Sequence, residues 1–300
     1  MDKPKTVRLT TADKIFYGAL DTYLVLLFIV IAIPMWSTIT LSFKPQAFLG
    51  TNFELMFNPV WKWSLEAYKA LLGNNGFLLA FRNSILILLM GVAWALFLTV
   101  PMAYCMSVKT LPGRKVLNYF VLIPYLFNIG MIPTYLVITK TLHLTDTLWS
   151  VFMPGALSTY NCLIMRNFFD GIPESLKESA RIDGAAEWKV LVSIIMPLSK
   201  PIILTIGLYY GVGFWNDYFA SMIYLRTATK YPIQILLRSI ILLSSTVSES
   251  AQDYYDMNGA PPDKAVKMAC TVIATVPILC VYPFVQKYFT KGVMVGAVKG

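Results

Sequence analysis

Charge is scarce in this chain. Only 14% of its 300 residues are Asp, Glu, Lys or Arg, where a soluble domain carries about 25%. Cysteine is scarce too. Cys105, Cys162, Cys270 and Cys280 lie in or at the ends of apolar runs, and none belongs to a C-x-x-C pair. That excludes a disulfide framework or a zinc knuckle and leaves small packing residues. The single histidine, His143, stands beside Thr145 and Asp146 with no second histidine to complete a metal site or a catalytic triad. The dipeptide Gly-Lys is absent, so no phosphate-cradling G-x-x-x-x-G-K-[ST] loop exists. Low-complexity linkers and a clear internal repeat are missing as well, and 1–300 reads as one domain.

What remains is grease. Hydrophobic residues make up 57% of the chain, and the mean hydropathy is +0.61. A bilayer-spanning helix needs about 20 mainly apolar residues. Six stretches qualify, at 18–41, 83–107, 116–138, 148–165, 198–221 and 267–286. The expected fold is therefore an all-α integral membrane protein with six transmembrane helices. The first run exceeds the apolar core of a signal peptide, and Pro34, Met35 and Trp36 follow it instead of a small-residue cleavage site; it reads as a retained span.

The net charge of +9 fits an orientation signal better than a nucleic-acid surface. Lys3, Lys5, Arg8 and Lys14 precede the first span. Lys109, Arg114 and Lys115 fall between the second and third. Arg166, Lys177, Arg181, Lys189 and Lys200 accompany the segment between the fourth and fifth, and Lys287, Lys291 and Lys299 follow the sixth. All four clusters share one side if both termini, about 1–17 and 287–300, are cytoplasmic. Segments 42–82 and 222–266 are then outer. The first contains a short amphipathic helix around Trp61, Trp63, Leu65, Tyr68 and Leu72. The second contains YPIQILLRSIILL, a surface or re-entrant helix over 231–248.

The segment 166–200 is polar and helix-compatible. Pro173 and Glu174 suit a first turn, and Gly184 supplies a break because glycine tolerates the left-handed conformation that ends helices. Trp188, Leu191, Val192 and Ile195 then recur as one apolar stripe, and Pro197 and Pro201 lead into the fifth span. A solvated loop would explain the charge. Two amphipathic helices meeting at a glycine explain the length as well, since ordinary helix connections run about 2–8 residues.

The stretch Glu178-Ser179-Ala180-Arg181-Ile182-Asp183-Gly184-Ala185, with Ile195-Met196-Pro197 at its far end, resembles the EAA motif of permease subunits of binding-protein-dependent ABC importers. Ser179 replaces the first alanine, and Met196 departs from the I-x-L-P ending. Met165-Arg166-Asn167-Phe168-Phe169, Pro197-Leu198-Ser199-Lys200-Pro201, Phe214-Trp215-Asn216-Asp217 and the ending from Gln286 to Gly300 are similar to the carbohydrate branch, in particular its complex oligosaccharide and polysaccharide subgroup. The resemblance implies a type I importer in a bacterial plasma membrane. Its partners are a second permease, two cytoplasmic ATPase subunits that hold ATP and magnesium, an extracellular solute-binding protein and membrane lipid. The chain itself is then no enzyme, needs no cofactor and binds no nucleic acid. The resemblance further implies that 166–200 is the ATPase-coupling insert, with Glu178, Ala180, Asp183, Gly184, Ala185 and Pro197 at the contact. Trp188, Leu191 and Ile195 pack it onto the spans, and the tail residues Gly296, Lys299 and Gly300 reach the ATPase interface.

For the substrate, amides and aromatics at span depth suit the hydroxyls and apolar faces of sugars. Asn128, Tyr135, Tyr209, Tyr210, Trp215, Asn216 and Tyr218 are such residues. Tyr and Trp near span ends also serve as interface anchors. Trp215 and Asn216, with Asp217 in support, are expected to line or gate the outer end of a path for a neutral or weakly charged oligosaccharide. The scarcity of carboxylates in the spans speaks against an ion-coupled secondary carrier, and the lone histidine against a membrane-embedded enzyme. A non-sugar substrate for the same kind of permease remains open.

Overall fold

Where the chain is apolar for more than thirty residues, the computed structural model makes a single long helix. Residues 10–44, 63–127, 129–242 and 264–297 are described, and all regular structure among them is helical. Helix α1 (Thr11–Ser42) opens on a reciprocal cap, Thr10 Oγ1 accepting from the Asp13 amide and the Asp13 carboxylate accepting from the Thr10 amide. Next come α2 (Glu66–Leu72) and α3 (Asn75–Ser107). Then follow α4 (Arg114–Leu126), α5 (Met131–Leu136, widening into a π turn over Val137–Thr141), α6 (Leu148–Phe152) and α7 (Thr159–Asp170). Two short helices come next, α8 (Glu174–Ile182) and α9 (Glu187–Val190, passing through a π turn over Leu191–Ile195 into Met196–Leu198). Last are α10 (Lys200–Asn216), α11 (Phe219–Tyr224), α12 (Ile233–Leu242) and α13 (Lys264–Ala297).

Helices α1, α3 and the Lys264–Val281 part of α13 are each long and apolar enough to cross a membrane, and two bent pairs, α4 with α5 and α9 with α10, pass the same test together. The apolar stretch at 148–165 differs from expectation. It is cut into α6 and α7 at Met153–Ser158, where Pro154 removes a donor and Gly155 follows. A short helix, α2, stands where the amphipathic outer helix is expected, but Leu65 and Leu72 are exposed while Ala67 and Leu71 are buried. Trp61 lies outside the described residues.

The chain packs as two units. In the first, Tyr68 and Ser42 share a 2.7 Å hydrogen bond and Trp63 stacks on Phe43 at 4.7 Å. The second has its core where α3 meets α7 and α10. Ile87, Ala95, Phe152, Met165, Phe169, Ile195, Ile206 and Phe214 fill it. Gly91 is required there: a Cβ on it would sit 2.8 Å from the Phe214 ring and 3.1 Å from Phe152. Helix α12, the expected surface or re-entrant helix, is pinned to α3. The Ser84 hydroxyl accepts the Ile233 amide, and the Asn83 amide donates to the carbonyls of Thr229 and Tyr231. A second tie joins the loop before α6 to the chain after α11. The Asp146 carboxylate accepts the amides of Arg226 and Thr227, the Thr227 hydroxyl and the Lys230 ammonium. Burial alone would raise the Asp146 pKa, but Lys230 and these donors hold it well below the ordinary carboxylate range.

Candidate functional site: a braced corner between two short helices

Helix α8 stops because of its backbone, not its side chains. Gly184 sits at φ +80, its amide donates to the Arg181 carbonyl, and the Ala185 amide reaches back to the Ala180 carbonyl at 2.9 Å. This 6→1 and 5→2 pair is the Schellman closure, which requires a left-handed residue at the glycine position. Ala180 and Ala185 are therefore the two ends of the closing bond, and both also lie against the core. No atom comes within 4 Å of a Cβ built on Gly184, so backbone conformation and not crowding selects glycine there.

Charge then braces the corner. Arg181 Nε donates to Glu187 Oε1 at 2.7 Å across the turn, and Arg181 Nη1 donates to Glu174 Oε1 at 3.1 Å. The Tyr104 hydroxyl, at the end of α3, donates to Glu187 Oε2. Lys177 is almost wholly buried, its ammonium shared between Glu174 Oε2 and the Phe169 carbonyl. Arg181 is the main cause that holds the Glu187 carboxyl below its usual pKa, against the opposing effect of burial. Burial would raise Glu174, and the hydrogen bonds from Lys177 and Arg181 overcome it. Glu187 thus links α8, α9 and α3.

Beyond the corner, α9 turns by 85° into α10 at Leu198–Lys200, where Pro197 and Pro201 stand. Val190, Leu191 and Ile195 are buried and seat α9 on the core. Trp188, expected to share that seat, is instead 64% exposed, and Val192 is exposed too. Trp188 sits in the first turn of α9, ahead of a π turn over Leu191–Ile195 that departs from 3.6-residue winding. The free face of the corner carries Glu178, Ile182, Asp183 and Trp188. Ile182 is 85% exposed, and Glu178 has no ion pair among the described residues.

The expected path residues make different local contacts. Tyr210 is buried, sharing a 2.8 Å hydrogen bond with Thr99 and accepting the Ser158 amide. Trp215 is buried and donates to the Ala274 carbonyl at 2.9 Å. Tyr135 stacks on Tyr224 at 5.8 Å. Asn216 is exposed at the end of α10, and Asp217 Oδ1 accepts the Ala220 amide at the start of α11. Asn128, Lys299 and Gly300 lie outside the described residues, and Gly296 falls in the last turns of α13. A cavity of about 440 Å³ borders Trp215, Gly207, Gly211, Leu88 and Pro277. Its walls are apolar and offer a sugar no orienting hydrogen bonds. Sequence reading placed Glu174 in a first turn without its ion pairs, and missed Tyr104 and Glu187. The opposite charges of Arg181 and Glu187 across a glycine were a visible signal; nothing in the sequence placed Tyr104 beside them.

The family described as binding-protein-dependent transport system inner membrane component matches residues 8–295. Protein LplC of Bacillus subtilis (strain 168) is 41% identical over 268 residues, 89% of either chain. The polygalacturonan/rhamnogalacturonan transport system permease protein YtcP of the same organism is 37% identical, covering 96% of this chain and 98% of its own. A crystal structure of a bacterial ABC transporter involved in the import of the acidic polysaccharide alginate contains a chain with a TM-score of 0.81 and 31% identity, over 95% of this chain and all of that one. The fold, the long apolar helices and a match over nearly the whole length lead to one assignment: the chain belongs to the binding-protein-dependent transport system inner membrane component family, and is a multi-pass membrane protein.

Proposed function

We propose that this chain is the transmembrane subunit of an ATP-driven oligosaccharide importer, in which the corner formed by α8 and α9 receives the stroke of a partner ATPase. The chain hydrolyses nothing; it forms half of the translocation path beside a second permease, and an extracellular solute-binding protein delivers the sugar. Six spans with both termini cytoplasmic put the corner on the ATPase side. The observation that carries the reading is the rigidity of the corner combined with its bare outer face. Glu178, Ile182 and Trp188 are displayed to solvent while Arg181, Glu187 and Tyr104 lock the turn to α3. A displacement of that face is passed through the 85° bend directly into α10. The sugar assignment is supported by the names of YtcP and of the alginate importer.

The test is copurification. A tagged chain drawn from membranes of its own host brings down an ATPase subunit and a second permease. Glu178→Lys loses the ATPase and keeps the permease, because reversal sets like charges against a basic partner. A wild-type chain that arrives without an ATPase contradicts the reading.

A further inference from the structure

At the end of α10 opposite the corner lies a concave site of about 380 Å³, walled by Tyr218, Gln234, Leu237, Arg238 and Ile241. Its chemistry differs from the apolar cavity beside Trp215. The Arg238 guanidinium lies 5.2 Å from the centroid of the Tyr218 ring, so one face of the cation is held by the aromatic quadrupole. Its Nη1 points at the Met222 thioether sulfur, a weak acceptor. No carboxylate pairs with Arg238 among the described residues. The cation is exposed, preoriented and, among the described residues, without an anion. Gln234 adds an amide that both donates and accepts, and Leu237 and Ile241 add an apolar floor.

We propose that this is a uronate subsite: Arg238 takes the carboxylate of a sugar acid, Gln234 its hydroxyls, and Leu237 and Ile241 an apolar ring face. A planar guanidinium matches a carboxylate bidentately, and a carboxylate displaces a thioether because it is by far the stronger acceptor. Ring stacking has already fixed the arginine rotamer, so little side-chain entropy is lost on binding. The volume lies at the small end of the range for ligand sites, enough for a terminal unit of an oligosaccharide and not for a long chain. This deepens the importer reading and rests on it for one point only, the placing of the site at the outer mouth of the path. It alters the substrate expected from the sequence, from neutral or weakly charged to acidic.

The experiment uses the assembled transporter in discs of phosphatidylcholine, with trigalacturonate and its methyl ester as probes and titration calorimetry as readout. Wild type is expected to bind the acid about tenfold more tightly than the ester, the size of one partly exposed charged contact. Arg238→Gln removes that preference, bringing the acid down to the level of the ester. Gln234→Ala weakens both probes alike, and serves as the test should Arg238→Gln fail to assemble. Equal binding of acid and ester by wild type, or a preference that survives Arg238→Gln, overturns the proposal. Loss of the acid preference when anionic lipid is added to the discs also overturns it, by assigning the site to a head group. ATP-dependent uptake of either sugar is scored separately: its absence while the binding preference holds contradicts the importer reading and leaves the subsite standing.

Discussion

Glu187→Gln keeps the side-chain volume and removes the charge from the centre of the corner. Arg181 loses a partner at 2.7 Å, and Tyr104 keeps an acceptor that is now neutral. The ion pair is half open to water, with side chains 53% and 26% exposed, and such pairs contribute about 0.5 kcal/mol after screening. Exchanging a charged for a neutral acceptor on Tyr104 costs about 1 kcal/mol more. The sum, about 1.5 kcal/mol, is roughly a tenfold rise in the open population of the corner. Hydrogen–deuterium exchange reads this directly at the amides of Asp183, Gly184 and Ala185, whose bonds close the turn. In the assembled complex they should exchange about tenfold faster in the variant. The sign with pH follows from the depressed Glu187 carboxyl. Its stabilisation is complete above its ordinary pKa of 4.5 and is lost only as pH falls below that, through the lowered value. Protection relative to free-peptide rates is therefore flat above pH 4.5 in wild type and falls below it. Unchanged exchange in Glu187→Gln, or an effect fully additive with Arg181→Gln, would refute the brace.

Gly184→Val places a β-branched residue at φ +80 and costs about 1–2 kcal/mol in strain alone; the complex should assemble with transport per ATP reduced, while a variant with normal coupling would show that the left-handed turn is dispensable. Asp146→Asn strips the charge that holds Lys230 and weakens the acceptors of two amides, so stability should fall by about 1–2 kcal/mol, read as a lower melting temperature. The lowered carboxyl of Asp146 also means that acid below its ordinary value of 3.8 reproduces this loss in wild type and not in the variant. Tyr210→Phe leaves the Ser158 amide and the buried Thr99 hydroxyl without their partner, a cost of about 1–3 kcal/mol that a melting curve detects and that Thr99→Val should largely share.

Much of this architecture was legible because bilayer spans advertise themselves by length and composition. α1, α3 and α13 fall on three of the six apolar stretches, and the polar segment around Gly184 does form two short helices about a left-handed glycine. The fourth stretch misled because hydropathy averages over Pro154 and Gly155, which break the helix without lowering its apolar content. The stripe through Trp188 held for Leu191 and Ile195, which are buried, and failed for Trp188 in the first turn of α9, which faces solvent. Tyr104 and Glu187 lie 83 residues apart, and no local pattern encodes such a pair. Arg238 stands 20 residues after Tyr218 in the sequence; only the fold brought it over that ring. Trp215 read as a wall of the path, yet its indole N–H is used to fasten α10 to α13.

ATP hydrolysis by a partner is expected to move sugar through this chain by way of the α8–α9 corner. The most direct measurement is accumulation of a labelled oligosaccharide in proteoliposomes that hold the complete complex, with solute-binding protein on one side and ATP supplied to the ATPase side. Accumulation should require ATP and persist when ion gradients are collapsed. Glu178→Lys or Gly184→Val should abolish it with the second permease still bound. Accumulation driven by an ion gradient with no ATP present, or full ATP-dependent uptake in both variants, would contradict it.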